Sequence, residues 1–225
     1  MTATLSKDLN VTIKRKHATN DARFLEHYFS QYRKALEEMD VSRQLVELKD
    51  MMVHAERIDK KVIIVGNGGS AAIASHCSID LNKVAGIRCM TFNEASLITC
   101  LANDYGYESW VAKALEFHAQ KEDVVVLISS SGKSPNMIRG AEYARRLGAK
   151  LVTFTGFSKN NPLKVLGHIN FWMNSKDYNM IECFHQLWLL SVCDLIAETR
   201  QERIQPSLRA LPNTHPVSPT VPTAA

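Results

Sequence analysis

Five short runs rich in β-branched and aromatic residues, KVIIVG (61–66), IRCMTF (87–92), DVVVLIS (123–129), KLVTFTG (150–156) and INFWM (169–173), recur along the chain. Apolar-periodic helical segments fill most of the gaps between them. This alternation constrains the fold more than any other feature, because strands joined through helices form a parallel sheet with helices on both faces. The expected fold is α/β: one doubly wound, parallel five-stranded sheet flanked by helices.

Helical patterning also precedes the first strand. Phe24, Tyr28, Tyr32 and Leu36 recur at i,i+4, and after a break near Asp40 and Ser42 the pattern resumes at Leu45, Leu48 and Met52. Asn20 reads as the first cap. Two amphipathic helices with this much apolar surface need a partner, either the sheet or a second subunit. A last helix, from Ile181 to about Glu198, closes the domain. Five of the seven prolines fall between Pro206 and Pro222, where large apolar residues are scarce. The expected organisation is a flexible segment over 1–19, one domain with its leading helices over 20–203, and a disordered proline-rich tail over 204–225.

Composition narrows the partners. With 27 Lys plus Arg against 23 Asp plus Glu, the net charge of +4 is too mild to imply nucleic-acid binding. No apolar stretch approaches the roughly 20 residues of a membrane span, and the start has no apolar signal-peptide region, so a soluble cytoplasmic protein is expected. Five cysteines, at 77, 89, 100, 183 and 193, include no CxxC pair. All but Cys77, which follows a histidine, read as small core residues.

Two turns carry chemistry. In VIIVGNGGSAAIASH a strand enters a glycine cluster and leaves as a helix near Ser70. Gly66, Gly68 and Gly69 allow a tight turn that brings backbone N–H groups and a helix N-terminus close to an anion. Gly66-x-Gly68-x-x-Ala71 also satisfies a relaxed dinucleotide fingerprint, with Glu94 after the second strand, so this turn alone leaves a nicotinamide-dependent oxidoreductase open. The second turn, VVVLISSSGKSPN, offers Ser129, Ser130, Ser131 and Ser134 just before a helix, with Lys133 nearby. Four hydroxyls and several turn amides suit a phosphate dianion. Paired in one sheet, the two turns indicate a monophosphate pocket rather than a dinucleotide site.

The segments GNGGS with His76 on the following helix, ITCLANDYGY, ISSSGKSPN and TFTG resemble the sugar isomerase (SIS) domain family, and within it the sedoheptulose 7-phosphate isomerases, over about residues 20–200. The resemblance implies that Ser70, Ser129, Ser130, Ser131 and Ser134 hold the sugar phosphate, with Asn67 and Gly69 in the same loop. It places Glu94, Asn103 and Asp104 on the substrate side. It implies catalytic roles for His76, Asp80, Glu182 and His185, and a zinc ion as an option on His76, Asp80 and Glu182. It further implies a homotetramer with sites at subunit contacts.

Two departures stand out: Asp80 replaces the family's catalytic glutamate, and Leu190 stands where the isomerases carry a second histidine on the last helix. A ketose–aldose isomerase acting on a sugar phosphate is the first reading. A non-catalytic phosphosugar-binding module acting through a protein partner is the alternative, because family members that regulate replication initiation also lack the distal histidine.

Overall fold

The computed structural model of the chain describes residues 19–209, with side-chain surroundings through residue 200. The expected loose start, and the expected tail beyond residue 209, lie outside the described residues. The chain divides into two compact units at Asp40 and Val41. In the first, helix α1 (Asn20–Glu38) begins one residue earlier than the cap expectation: Thr19 is the cap, its hydroxyl accepting from the Ala22 amide, and Asn20 is already helical. Along α1 the Tyr28 and Tyr32 hydroxyls share a hydrogen bond of 2.8 Å, while Phe24, Leu25, Phe29 and Leu36 stay exposed.

The second unit follows the expected alternation. Its elements are α2 (Ser42–Arg57), β1 (Val62–Gly66), α3 (Gly69–Lys83), β2 (Cys89–Thr91), α4 (Ala95–Tyr105), α5 (Trp110–His118), β3 (Val124–Ser129), α6 (Pro135–Leu147), β4 (Lys150–Thr155), β5 (Ile169–Trp172) and α7 (Tyr178–Arg209). All four strand pairings are parallel and the strand order is β2-β1-β3-β4-β5. One face of the sheet, with Ile63, Val65, Val125, Leu127 and Leu151, packs on Trp110, Val111, Leu115, Met137 and Ala141 from α5 and α6. On the other face α3 packs on β1, and α2 and α7 pack with it. Asp123, wholly buried before β3, accepts hydrogen bonds from the Lys61 amide, the Lys61 ammonium and the Gln120 amide. It thereby ties the starts of β1 and β3 together.

Helix α7 corrects the sequence reading twice. It begins at Tyr178 rather than Ile181 and runs to Arg209, past the boundary drawn at 203. Over Tyr178–Arg200 it is also long and apolar enough to cross a membrane, against the expectation that no stretch approaches a span. Half of that stretch is buried within the fold, with Ile181, Phe184, Trp188, Leu189, Val192 and Ile196 in the core. A covered helix needs apolar residues on more than one stripe, and this is enough to account for its composition. The cysteines divide: Cys77 and Cys193 are buried, and burial pushes both thiols up to about 12, whereas Cys100 and Cys183 are exposed, against expectation.

The strand order also locates the crevice. From β1 the chain moves outward to β2, then returns to place β3 on the other side of β1, so the connections diverge between β1 and β3. Ligands of open α/β sheets bind beyond the strand ends at such a point.

Candidate active site

Gly66 and Ile128 are paired at the ends of β1 and β3, so the two turns leave the sheet side by side. Between them lies a pocket of about 120 Å³, walled by Asn67 and Ser70 from the first turn and by Ser129, Ser130, Ser131 and Ser134 from the second. Ser134 is the N-cap of α6, yet its hydroxyl makes no bond to its own helix; it lies 3.3 Å from the Ser129 hydroxyl instead. Helix α3 likewise starts without a side-chain cap. Two helix starts whose N–H groups no side chain closes therefore flank one polar pocket, the arrangement an anion needs. Beneath the second turn, Gly132 has φ +63° and the buried Asn161 occupies the space where a Cβ would stand. Asn161 donates to the Thr155 hydroxyl and accepts from the Lys164 amide, so the turn rests on a braced support.

The two turns are clasped together by a reciprocal amide pair. Asn67 donates to the Asn136 side-chain oxygen at 3.1 Å and accepts from the Asn136 amide at 2.9 Å. Tyr107 adds a third bond, its hydroxyl donating to Asn67. Asn67 lines the pocket, but its amide is committed to holding the turns in register.

Glu182, in the second turn of α7, completes the wall with Tyr178 one turn before it. A Cβ on Gly69 would overlap the Glu182 carboxylate, so glycine at this position is what lets that carboxylate reach the pocket. Removal from water pushes the Glu182 carboxyl above its ordinary value, which suits a group that must take up and release a proton. One turn further along α7, Gln186 Nε2 lies 2.9 Å from His76 Nδ1, and His76 Nε2 lies 3.2 Å from Asp80 Oδ2. Glu182 and Gln186, at i,i+4, thus meet α3 at successive points.

The zinc option does not fit this donor set. Both ring nitrogens of His76 are engaged, by Gln186 and by Asp80, and Leu190 offers no ligand in place of the distal histidine. Among the described residues no group of three or more His, Cys, Asp or Glu side chains is placed to hold a metal ion.

Residues 27–156, more than half of the chain, match the SIS domain. The chain belongs to the SIS domain family. It is 31% identical over 170 residues to the phosphoheptose isomerase of Aquifex aeolicus, covering 72% of this chain and 87% of that protein. To the phosphoheptose isomerase of Maridesulfovibrio salexigens it is 34% identical over 178 residues, covering 76% and 81%. Among solved structures it is similar to a phosphoheptose isomerase from Neisseria gonorrhoeae, with a TM-score of 0.72 and 26% identity over 80% of this chain and all of that one.

Other expected site residues of this SIS domain fall elsewhere. His185 is fully buried against Phe154 and Trp188, and its Nε2–H donates to the Thr155 carbonyl at 3.1 Å. An i,i+3 step turns it about 60° from Glu182 around the helix, enough to move it from the pocket rim into the core. This places it in the core and off the pocket wall. Glu94 caps α4, accepting from the Ser96 and Leu97 amides and the Ser96 hydroxyl, and these bonds hold its carboxyl down at about 2. Asn103 and Asp104 lie exposed at the end of α4, bonded to each other. None of these three lines the pocket. Asn136, Tyr107, Tyr178 and Gln186 carry no local signal in the sequence, because each enters through a contact between distant segments.

The burial of His185 has a consequence for stability. Desolvation pulls its pKa from 6.5 down to about 4, so below 6.5 the unfolded chain takes up a proton that the folded protein refuses until about pH 4. Its contribution is complete above pH 6.5 and is lost as the pH falls through that window, by about 3 kcal/mol. Urea unfolding between pH 7 and 4 is expected to show this loss in the wild type. In His185→Met the loss should be absent, and the Met173 amide still donates to the Thr155 carbonyl.

Proposed function

We propose that this chain is a ketose–aldose isomerase that interconverts sedoheptulose 7-phosphate and a heptose 7-phosphate, for heptose-containing surface polysaccharide. The observation that carries the reading is one pocket that joins a four-serine phosphate cradle, flanked by two helix starts, to an ionisable carboxylate, Glu182. In the mechanism, the serine hydroxyls and turn amides hold the phosphate. Glu182 removes the proton from the carbon beside the carbonyl and returns it to the neighbouring carbon, pocket donors stabilise the enediolate, and the hydroxyl proton of the first carbon passes to the carbonyl oxygen of the second. His76 and Asp80 act beside it as a hydrogen-bonded couple. The phosphoheptose isomerases to which the chain is similar support the substrate class.

The assembly we propose is a soluble, cytoplasmic homotetramer. The exposed Phe24, Leu25, Phe29 and Leu36 on α1 support it, as does a single-chain pocket well below the roughly 300 Å³ of an ordinary ligand site, which a neighbouring subunit would enlarge. A second reading, a phosphosugar-binding regulator, is favoured only by Leu190.

Incubation with sedoheptulose 7-phosphate, followed by NMR, separates the two. Isomerase activity predicts a new heptose 7-phosphate, and binding without turnover of any seven- or six-carbon ketose phosphate would leave the regulator. The double variant Ser129→Ala/Ser134→Ala is expected to raise KM about 10²-fold with kcat little changed, because a remote phosphate is held equally in ground and transition states.

A further inference from the structure

The couple His76–Asp80 has a third member that neither turn nor pocket explains. Gln186 reaches across from α7 to His76 Nδ1 at 2.9 Å, while Nε2 of the same ring faces Asp80 at 3.2 Å. A side-chain amide nitrogen only donates, so Nδ1 is the acceptor and the proton of the neutral ring stands on Nε2, directed at the carboxylate. Turning the amide over would place a proton on Nδ1. It would then leave the bare lone pair of Nε2 against a carboxylate oxygen, which is repulsive. Only one arrangement of the neutral ring satisfies both neighbours.

From this geometry we infer that Gln186 is a positioning residue: it fixes His76 in the Nε2–H tautomer, thereby orients Asp80, and occupies the one ring lone pair that a metal ion would require. The inference rests on the isomerase reading for its catalytic meaning. It explains how a chain with Leu190 in place of the distal histidine keeps its remaining imidazole in a defined state. Restraint that an ion could supply is supplied here by an amide from α7. Neither Gln186 nor its role is predicted by a local pattern, because the two partners are 110 residues apart in sequence.

Imidazole ¹⁵N NMR of the resting full-length protein tests the positioning without turnover. The wild type is expected to show His76 with Nε2 protonated and Nδ1 bare. Gln186→Leu, which removes the donor, should free Nδ1 and let the ring reorient, giving a mixture of tautomers, and Gln186→Glu, which sets a second carboxylate against the ring, should favour protons on both nitrogens. With sedoheptulose 7-phosphate, the Leu variant should lose about 10- to 100-fold in kcat with KM within about twofold. A wild-type Nδ1–H tautomer, or spectra unchanged in both variants, would overturn the inference whether or not the protein turns sugar over. Normal tautomers with no isomerase activity in the wild type would overturn the functional reading and leave the positioning intact.

Discussion

Glu182→Gln is expected to lower kcat by about 10²–10⁴-fold, the range for removing a positioned acid–base group. The amide keeps the size and hydrogen-bonding reach of the carboxylate, so the wall of the pocket and its contact with Gly69 remain. KM should change little, since the phosphate is held by serines from the two turns. The acid limb of the wild-type kcat/KM profile should lie above the usual carboxylate range, because burial pushes the Glu182 carboxyl up and the base must be ionised to act. In the Glu182→Gln variant that limb should disappear. Activity within a fewfold of wild type would remove Glu182 from the reaction and shift the acid–base work to Asp80.

Gly69→Ala is expected to reproduce most of that loss without touching the carboxylate. A methyl group at this position would overlap the Glu182 side chain, whose flexible end must swing out of the pocket. Gly69 is the first residue of α3 and is not left-handed, so its backbone accepts alanine and thermal stability should hold. A displacement of about 1 Å costs on the order of 10²-fold in rate, and a full rotamer change costs at least that. Inorganic phosphate should still bind. A variant that is as stable as wild type, binds phosphate and fails to turn over would separate the position of Glu182 from the integrity of the fold. Full activity would show that the carboxylate does its work from another rotamer.

What could be read from the sequence follows the range of the forces involved. The strand runs, the break between α1 and α2 and both glycine- and serine-bearing turns are local patterns, and each lies where expected to within a few residues. Ser134 is instructive, because a serine before a proline reads equally as a helix cap. Only its contact with Ser129 shows that its hydroxyl is not spent on its own helix. The errors arise where angular phase or long-range pairing decides. His185 and Glu182 are neighbours in sequence, but the pitch of α7 sends one into the core and leaves the other at the pocket. Asn67 meets Asn136, and His76 meets Gln186, only because strand order and helix packing bring distant segments together. Glu94 gave no local signal, because the residues that mark a helix start in sequence are Asp, Asn, Ser and Thr, and its capping role shows only in the fold. Its local bonds now account for its carboxylate.

In the proposed reaction Glu182 moves a proton between adjacent carbons of a phosphosugar held between the two serine turns. Proton NMR of sedoheptulose 7-phosphate in D₂O with the wild-type protein tests it most directly. Deuterium is expected at the carbon beside the carbonyl as the partly exposed carboxyl exchanges its proton with solvent, and both exchange and turnover should fall by about 10²-fold or more in Glu182→Gln. Product formation or exchange that persists undiminished in the variant would contradict it.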